Sequence, residues 1–136
     1  MDVLITGSTG MVGKSALYEC IKDDRINKIY LINRSKSGIK NPKISELVIK
    51  DFLLVKNLKS KIKNCDACFH CMGITSFGHN KKYYYEVTYE MTKLITDLIY
   101  EINPSAVMTY VSGEGTNAKE NSKITWANVK GKAENY

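Results

Sequence analysis

The chain has 136 residues, 43% of them hydrophobic and 25% charged, with a formal net charge of +6. That length suits one domain over residues 1–136, able to bury about two-thirds of its unfolded surface. No apolar run nears the ~20 residues of a membrane helix and no basic-flanked leader precedes the first strand, so no membrane partner is expected and the expected location is cytoplasmic. Arg25 and Arg34 are the only arginines and the lysines are dispersed; base readout leans on arginine, so nucleic acid is not an expected partner.

Asp2–Thr6 reads as a buried strand. It runs into Thr6-Gly7-Ser8-Thr9-Gly10-Met11-Val12-Gly13, three glycines at spacing three, and then into an amphipathic stretch. A strand, a tight turn and a helix start expose backbone N–H groups where the helix dipole attracts phosphate. Gly7 permits the turn, Gly10 lets a pyrophosphate approach, and Gly13 lets the helix pack close to the strand. Gly7, Ser8, Thr9, Gly10, Met11 and Gly13 are therefore the expected cofactor-binding positions here. Gly13-Lys14-Ser15 imitates the end of a nucleoside-triphosphate loop, but that loop needs glycine at position 8, which is serine.

Met11–Lys22 is the first predicted helix, with Val12, Ala16 and Cys20 along one face. Lys28–Asn33 is the second strand, Arg34–Pro42 a polar loop, Glu46–Lys50 the third strand, and Val55–Lys63 a short lysine-rich helix or turn. Cys65–Met72 is the fourth strand. Its alternation places Cys65 and Cys71 on one face and Cys68 on the other, so the three thiols cannot converge on a metal and read as small buried hydrophobes. No metal site and no disulfide are expected. Asn80–Asn103 is a long helix with the stripe Val87, Met91, Leu94, Leu98 and Ile102, supplemented by Ile95 and Ile99 and stopped by Pro104. Three tyrosines at its start, Tyr83 to Tyr85, suggest one buried and two exposed rings. Ala106–Ser112 is the fifth strand, and a last helix opens at Ser122 or Lys123.

Alternating strands and helices imply parallel crossovers and helices on both faces. The fold class is α/β, a Rossmann-type doubly wound parallel sheet of order 3-2-1-4-5. Its crevice lies at the carboxyl ends of the first and fourth strands, at Gly7 and Gly73, where a bulky residue at 73 would meet a ribose or nicotinamide. The second strand ends in Asn33-Arg34 rather than in an acidic residue. A guanidinium can grip a 2′-phosphate that a carboxylate would repel, with Lys36 near it in sequence and Ser8 and Thr9 offering hydroxyls. The pattern favours NADP as cofactor, with NAD the alternative; an ordinary solvated loop arginine is the bland reading. Asp51-Phe52 is placed for the adenine edge, the alternative being a turn aspartate.

Taken together, Thr6-Gly-x-x-Gly-x-x-Gly13, Met72-Gly73-Ile74-Thr75, Tyr110-Val111-Ser112-Gly113 and Trp126-Ala-Asn-Val-Lys130-Gly-Lys-Ala-Glu134 resemble an atypical short-chain dehydrogenase/reductase of the NAD(P)-binding epimerase/dehydratase-like and Tat-interacting oxidoreductase groups. The resemblance implies hydride exchange with a small carbonyl substrate. It assigns Lys130 to the nicotinamide ribose and Ser112 to polarising the carbonyl, both as catalytic positions, with Lys130 also binding cofactor. A surface lysine is the alternative at 130. The family's proton-transferring Tyr is replaced by Trp126, whose indole N–H donates but is not acidic. Trp126 is either a packing residue or one stacking near nicotinamide; Tyr110 or a member of the Tyr83–Tyr85 run could in principle supply a hydroxyl instead. Gly113 stands where relatives often carry a second Ser.

Relatives also continue into a C-terminal substrate lobe, which this chain is expected to lack. That leaves the core face of the last helix open to association, a route to a homo-oligomer. Two functions follow: an NADP-dependent oxidoreductase-type domain, or a non-catalytic NADP-binding module.

Overall fold

A computed structural model describes residues 1–136. β1 (Asp2–Thr6), β2 (Lys28–Asn33), β3 (Ile44–Val48), β4 (Ala67–His70) and β5 (Val107–Tyr110) form one parallel sheet of order β3-β2-β1-β4-β5. β1 lies at its centre, with Thr6 level with Ile32 on one side and His70 on the other. Such a strand is covered on both faces, which is why Val3, Leu4 and Ile5 can be consecutive and fully buried.

The two faces carry two cores. Val3, Ile5, Ile29 and Leu31 pack with Leu17 and Cys20 of α1 (Met11–Lys22). Leu4, Tyr30, Ile32 and Cys68 pack with Phe52, Val55 and Leu58 of a 3-10 helix (Phe52–Lys61) and with Ile95, Leu98 and Ile99 of α3 (Met91–Ile102). Each fully buried leucine or isoleucine contributes about 1.5–3 kcal/mol of transfer free energy. The connection from β2 to β3 is a loop, and α4 (Thr125–Asn135) packs on α2 (Lys81–Tyr85) and the π turn that follows it.

The first three elements sit where the sequence places them, and several others are displaced. β3 starts two residues early, because its pairing with β2 begins at Ile29–Ile44 and leaves Val48 exposed. The Lys-rich segment is a 3-10 helix beginning at Phe52, capped by the Asp51 carboxylate. β4 is only four residues long, so Cys65 lies before the strand and escapes its alternation. Cys65 therefore shares a core with Cys68, not a face with Cys71. The four cysteines are free thiols. The long helix is interrupted by a π turn at Glu86–Glu90, whose extra residue lets Val87 and Thr88 both be buried. Tyr84 is buried, while Tyr83 and Tyr85 are half-buried rather than exposed. α4 opens at Thr125 and is covered on two sides, by burial of Ala127 and Gly131 on one and of Val129 and Ala133 on the other. No helix is long and apolar enough to cross a membrane.

Candidate functional site

At the carboxyl end of β1 the chain reverses through Gly7, whose φ of +69° favours glycine. A Cβ there would lie 2.9 Å from the backbone of Cys71 and Met72. The turn closes with the Gly10 N–H donating to the Gly7 carbonyl at 3.0 Å. Gly13 is needed for close packing, since a Cβ on it would stand 2.3 Å from the Gly7 oxygen. Gly10 differs: its Cβ would meet only that oxygen, at 3.4 Å, and its other side is open. No side chain caps α1, so the first-turn amides of Met11, Val12 and Gly13 have no partner within the chain. Unpartnered amides at a helix N-terminus beside an open glycine are what a diphosphate requires.

The glycine turn opens on a crevice of about 280 Å³ lined by Gly7, Thr9, Gly10, Ile32, Asn33, Arg34, Ser35, Phe52, Cys71, Met72 and Gly73. Gly73 has nothing within 4 Å of the place its Cβ would take, so the crevice is open on that side. Arg34 is the one charged lining residue and makes no hydrogen bond or ion pair within the chain. Phe52 is buried and lies in the wall of the crevice.

Five expected binding residues do not line this space: Ser8, Met11, Gly13, Asp51 and Lys130, the last of which lies at the β5–α4 junction. Met11 is 85% exposed, and what it offers beside the turn is its unpartnered amide. Gly13 acts through packing. Asp51 spends its carboxylate on the Leu53 amide at 2.9 Å, the turn role rather than the adenine one. Ser8 is buried, and its amide and hydroxyl donate to Asn33 Oδ1 at 3.2 and 3.1 Å, so its hydroxyl is not offered to a phosphate. Asn33 returns a bond from Nδ2 to Ser8 Oγ at 2.8 Å and donates another to Glu46 Oε1 at 3.2 Å. An amide has two donors and two acceptor positions, so Asn33 is saturated by the protein. Glu46 was not singled out from sequence; it faces this network only because β3 starts at Ile44 and pairs Leu31 with Glu46.

Ser112 and Lys130 come together at the other end of the sheet, at the β5–α4 junction and outside the lining of the crevice. Lys130 Nζ donates to the Val111 carbonyl at 3.3 Å and stands 5.6 Å from the Tyr110 ring centroid. Burial pushes its pKa down, and Glu134 one turn on pulls the other way. Ser112 Oγ donates to the Glu134 carboxylate and lies 3.0 Å from Thr116 Oγ1. Its hydroxyl is thereby tied to α4. Trp126 packs on the turn before it: a Cβ at Gly115, where φ is +83°, would be 3.3 Å from the indole ring. Gly131 lets α4 approach this closely, because any Cβ there would collide with the Asn117 carbonyl. Tyr110 carries a hydroxyl whose pKa burial pushes up to about 12.

Between the two ends lies a buried polar chain. Thr6 Oγ1 is 2.9 Å from His70 Nδ1, His70 Nε2 is 3.1 Å from Thr92 Oγ1, and Thr92 donates to the Thr88 carbonyl at 2.7 Å. Because Thr92 spends its proton on that carbonyl, Nε2 must donate and Nδ1 must accept, the neutral imidazole. Burial holds the His70 pKa down at about 4, and its ring stacks on Tyr110 at 5.9 Å.

Known proteins share this fold. Protein FMP52, mitochondrial, of Meyerozyma guilliermondii is 27% identical over 139 residues, covering 98% of this chain and 57% of that protein. A short-chain dehydrogenase/reductase superfamily protein of Agrobacterium tumefaciens with bound NAD superposes with a TM-score of 0.73 at 18% identity, over 99% of this chain and 43% of its own. ADP-L-glycero-D-manno-heptose-6-epimerase of Helicobacter pylori gives 0.73 at 18% identity, over 98% and 49%. UDP-glucuronic acid 4-epimerase of Bacillus cereus in complex with NAD gives 0.72 at 15% identity, over 99% and 50%. The chain thus spans about half the length of the proteins it matches. Residues 3–133 match the NAD dependent epimerase/dehydratase family, and with its glycine turn, parallel sheet and Lys130 helix in place the chain belongs to that family.

Proposed function

We propose that this chain is an NAD(P)-binding oxidoreductase-type domain that prefers NADP, with hydride transfer to a small carbonyl compound as its ancestral chemistry. The observation that carries the reading is the unpaired Arg34 guanidinium in a crevice whose only other polar lining comes from uncharged residues and backbone. The residues fit a dinucleotide: the open face of Gly10 and the amides of Met11, Val12 and Gly13 would hold the diphosphate, Phe52 the adenine side, Gly73 the ribose beyond. Arg34 would bind a 2′-phosphate through charge-assisted hydrogen bonds. When bound, the nicotinamide would supply or accept the hydride.

For the rest of the chemistry this chain offers Lys130, to bind the nicotinamide ribose and add positive charge, and Ser112, to hydrogen-bond the substrate oxygen. Ser112 must first turn its proton away from Glu134. The proton-transfer position is Trp126, which cannot exchange a proton near neutral pH. A second reading, a non-catalytic NADP-binding module, is favoured by that substitution and by the packing of Trp126 on Gly115. The expected location remains the cytosol, and a homo-oligomer remains a proposal separate from the covered face of α4.

Calorimetric titration with NADPH and NADH tests the binding reading: NADPH should bind more tightly, and no heat with either nucleotide would end it. NADPH consumption with a panel of aldehydes and ketones separates the two functions, because a module binds but gives a flat trace.

A further inference from the structure

The loop that carries Arg34 is held by very little. From Arg34 to Lys40 the chain forms no backbone–backbone hydrogen bond. Within the loop, Ile39 N–H donates to Ser37 Oγ at 3.3 Å, and Ile39 packs against the α1-side core. One hydrogen bond ties the segment to the sheet: Ser37 N–H donates to Glu46 Oε1 at 2.6 Å. The same oxygen accepts Asn33 Nδ2 at 3.2 Å, and Asn33 in turn holds both the amide and the hydroxyl of Ser8. A single carboxylate oxygen on β3 therefore links the end of β2, the glycine turn and the middle of the Arg34 loop.

Resting on the NADP reading above, we infer that Glu46 is a positioning residue for 2′-phosphate recognition, acting through the hydrogen bonds to Ser37 and Asn33 that hold the Arg34 loop in its binding shape. A negative charge this near a phosphate site is otherwise unfavourable. Its partners account for it: two N–H groups converge on the oxygen, and the bond to Ser37 is short. Arg34 is a long, flexible side chain with no partner of its own, so the geometry of its backbone is what limits where the guanidinium can reach. Ordering that backbone before the ligand arrives removes an entropic cost from binding. NAD lacks the 2′-phosphate and gains nothing from the tether.

The test is calorimetric titration of the full chain with NADP+ and NAD+, and with the fragments 2′,5′-ADP and AMP, which probe the adenosine corner alone. Glu46→Ala should weaken NADP+ and 2′,5′-ADP by about tenfold, as for a lost charged hydrogen bond, with NAD+ and AMP within about twofold of the unaltered protein. Glu46→Gln keeps an oxygen at the same reach and should keep the preference. Glu46→Asp, one methylene shorter, should lose it like alanine and serves if Glu46→Ala does not fold. If alanine and aspartate variants retain the preference, Glu46 does not position the loop. Equal gains in NADP+ affinity for the alanine and glutamine variants would overturn the inference too, showing a merely repulsive charge. Binding of NADP+ with no preference in the unaltered protein would instead remove the NADP reading, and this inference with it.

Discussion

The two ends of the sheet's carboxyl edge are made of different material. At Gly7–Gly13 the free polar groups are backbone amides, and the side chains matter mainly by being absent. At β5–α4 the groups are side chains, Ser112, Lys130, Glu134 and Trp126, each engaged with a neighbour. A backbone cradle has few alternatives, because Gly7 and Gly13 are enforced by contacts of 2.3–2.9 Å to other backbone atoms. A side-chain site can exchange one group for another and keep the fold. The backbone turn and the side-chain cluster can thus vary independently in this architecture.

The largest expected effect is at the rigid end. Gly13→Ala puts a methyl 2.3 Å from the Gly7 oxygen and should cost about 3 kcal/mol or more in urea unfolding. Gly38→Ala, at a positive φ that Gly13 does not have but in open space, should cost only about 1–2 kcal/mol; equal losses would remove the argument that packing makes Gly13 obligatory. Next comes the polar chain joining the two ends. The folded pKa of His70, about 4, lies below its ordinary 6.5, so the unfolded chain takes up the proton more readily. Its contribution is intact above pH 6.5 and is lost as the pH falls towards 4, by up to about 3 kcal/mol. His70→Gln cannot titrate, and unfolding series from pH 7 to 4 should show a shallower fall for it; parallel curves would contradict the buried neutral imidazole.

At the adaptable end, Trp126→Tyr restores an acidic hydroxyl four residues before Lys130. It should raise NADPH-dependent carbonyl reduction about 10²-fold, or ~2.7 kcal/mol in barrier. An unchanged rate, with nucleotide binding intact, would support the module reading and show that the missing phenol is not what separates the two ends. The smallest effect is selective. Arg34→Ala should weaken NADPH by about 1–3 kcal/mol while leaving NADH nearly unaffected, and equal loss for both would deny Arg34 its role.

Much of this was legible in the chain. β1, α1 and β2 could be bounded to the residue, because apolar runs and three spaced glycines are local signals. The parallel order 3-2-1-4-5 followed from alternation of strand and helix. β3 was misplaced by two residues because its start depends on which residue of β2 it pairs with. The π turn left no mark in a stripe that fits an unbroken helix equally well. Ser8 and Asp51 looked available for ligand because their partners, Asn33 and the Leu53 amide, are a matter of conformation. Glu46 read as an ordinary strand residue, with nothing nearby in sequence to suggest three elements meeting on it.

The amino acid order alone was enough for the fold class and the glycine turn, since these rest on backbone freedom and periodicity, which are properties of residues and their near neighbours. Which hydroxyls and carboxylates remain available, and which are consumed by Asn33, Glu134 or Ser37, emerged from folding. A hydrogen bond between groups 9, 22 or 25 positions apart exists only once strands have taken their register and helices have docked.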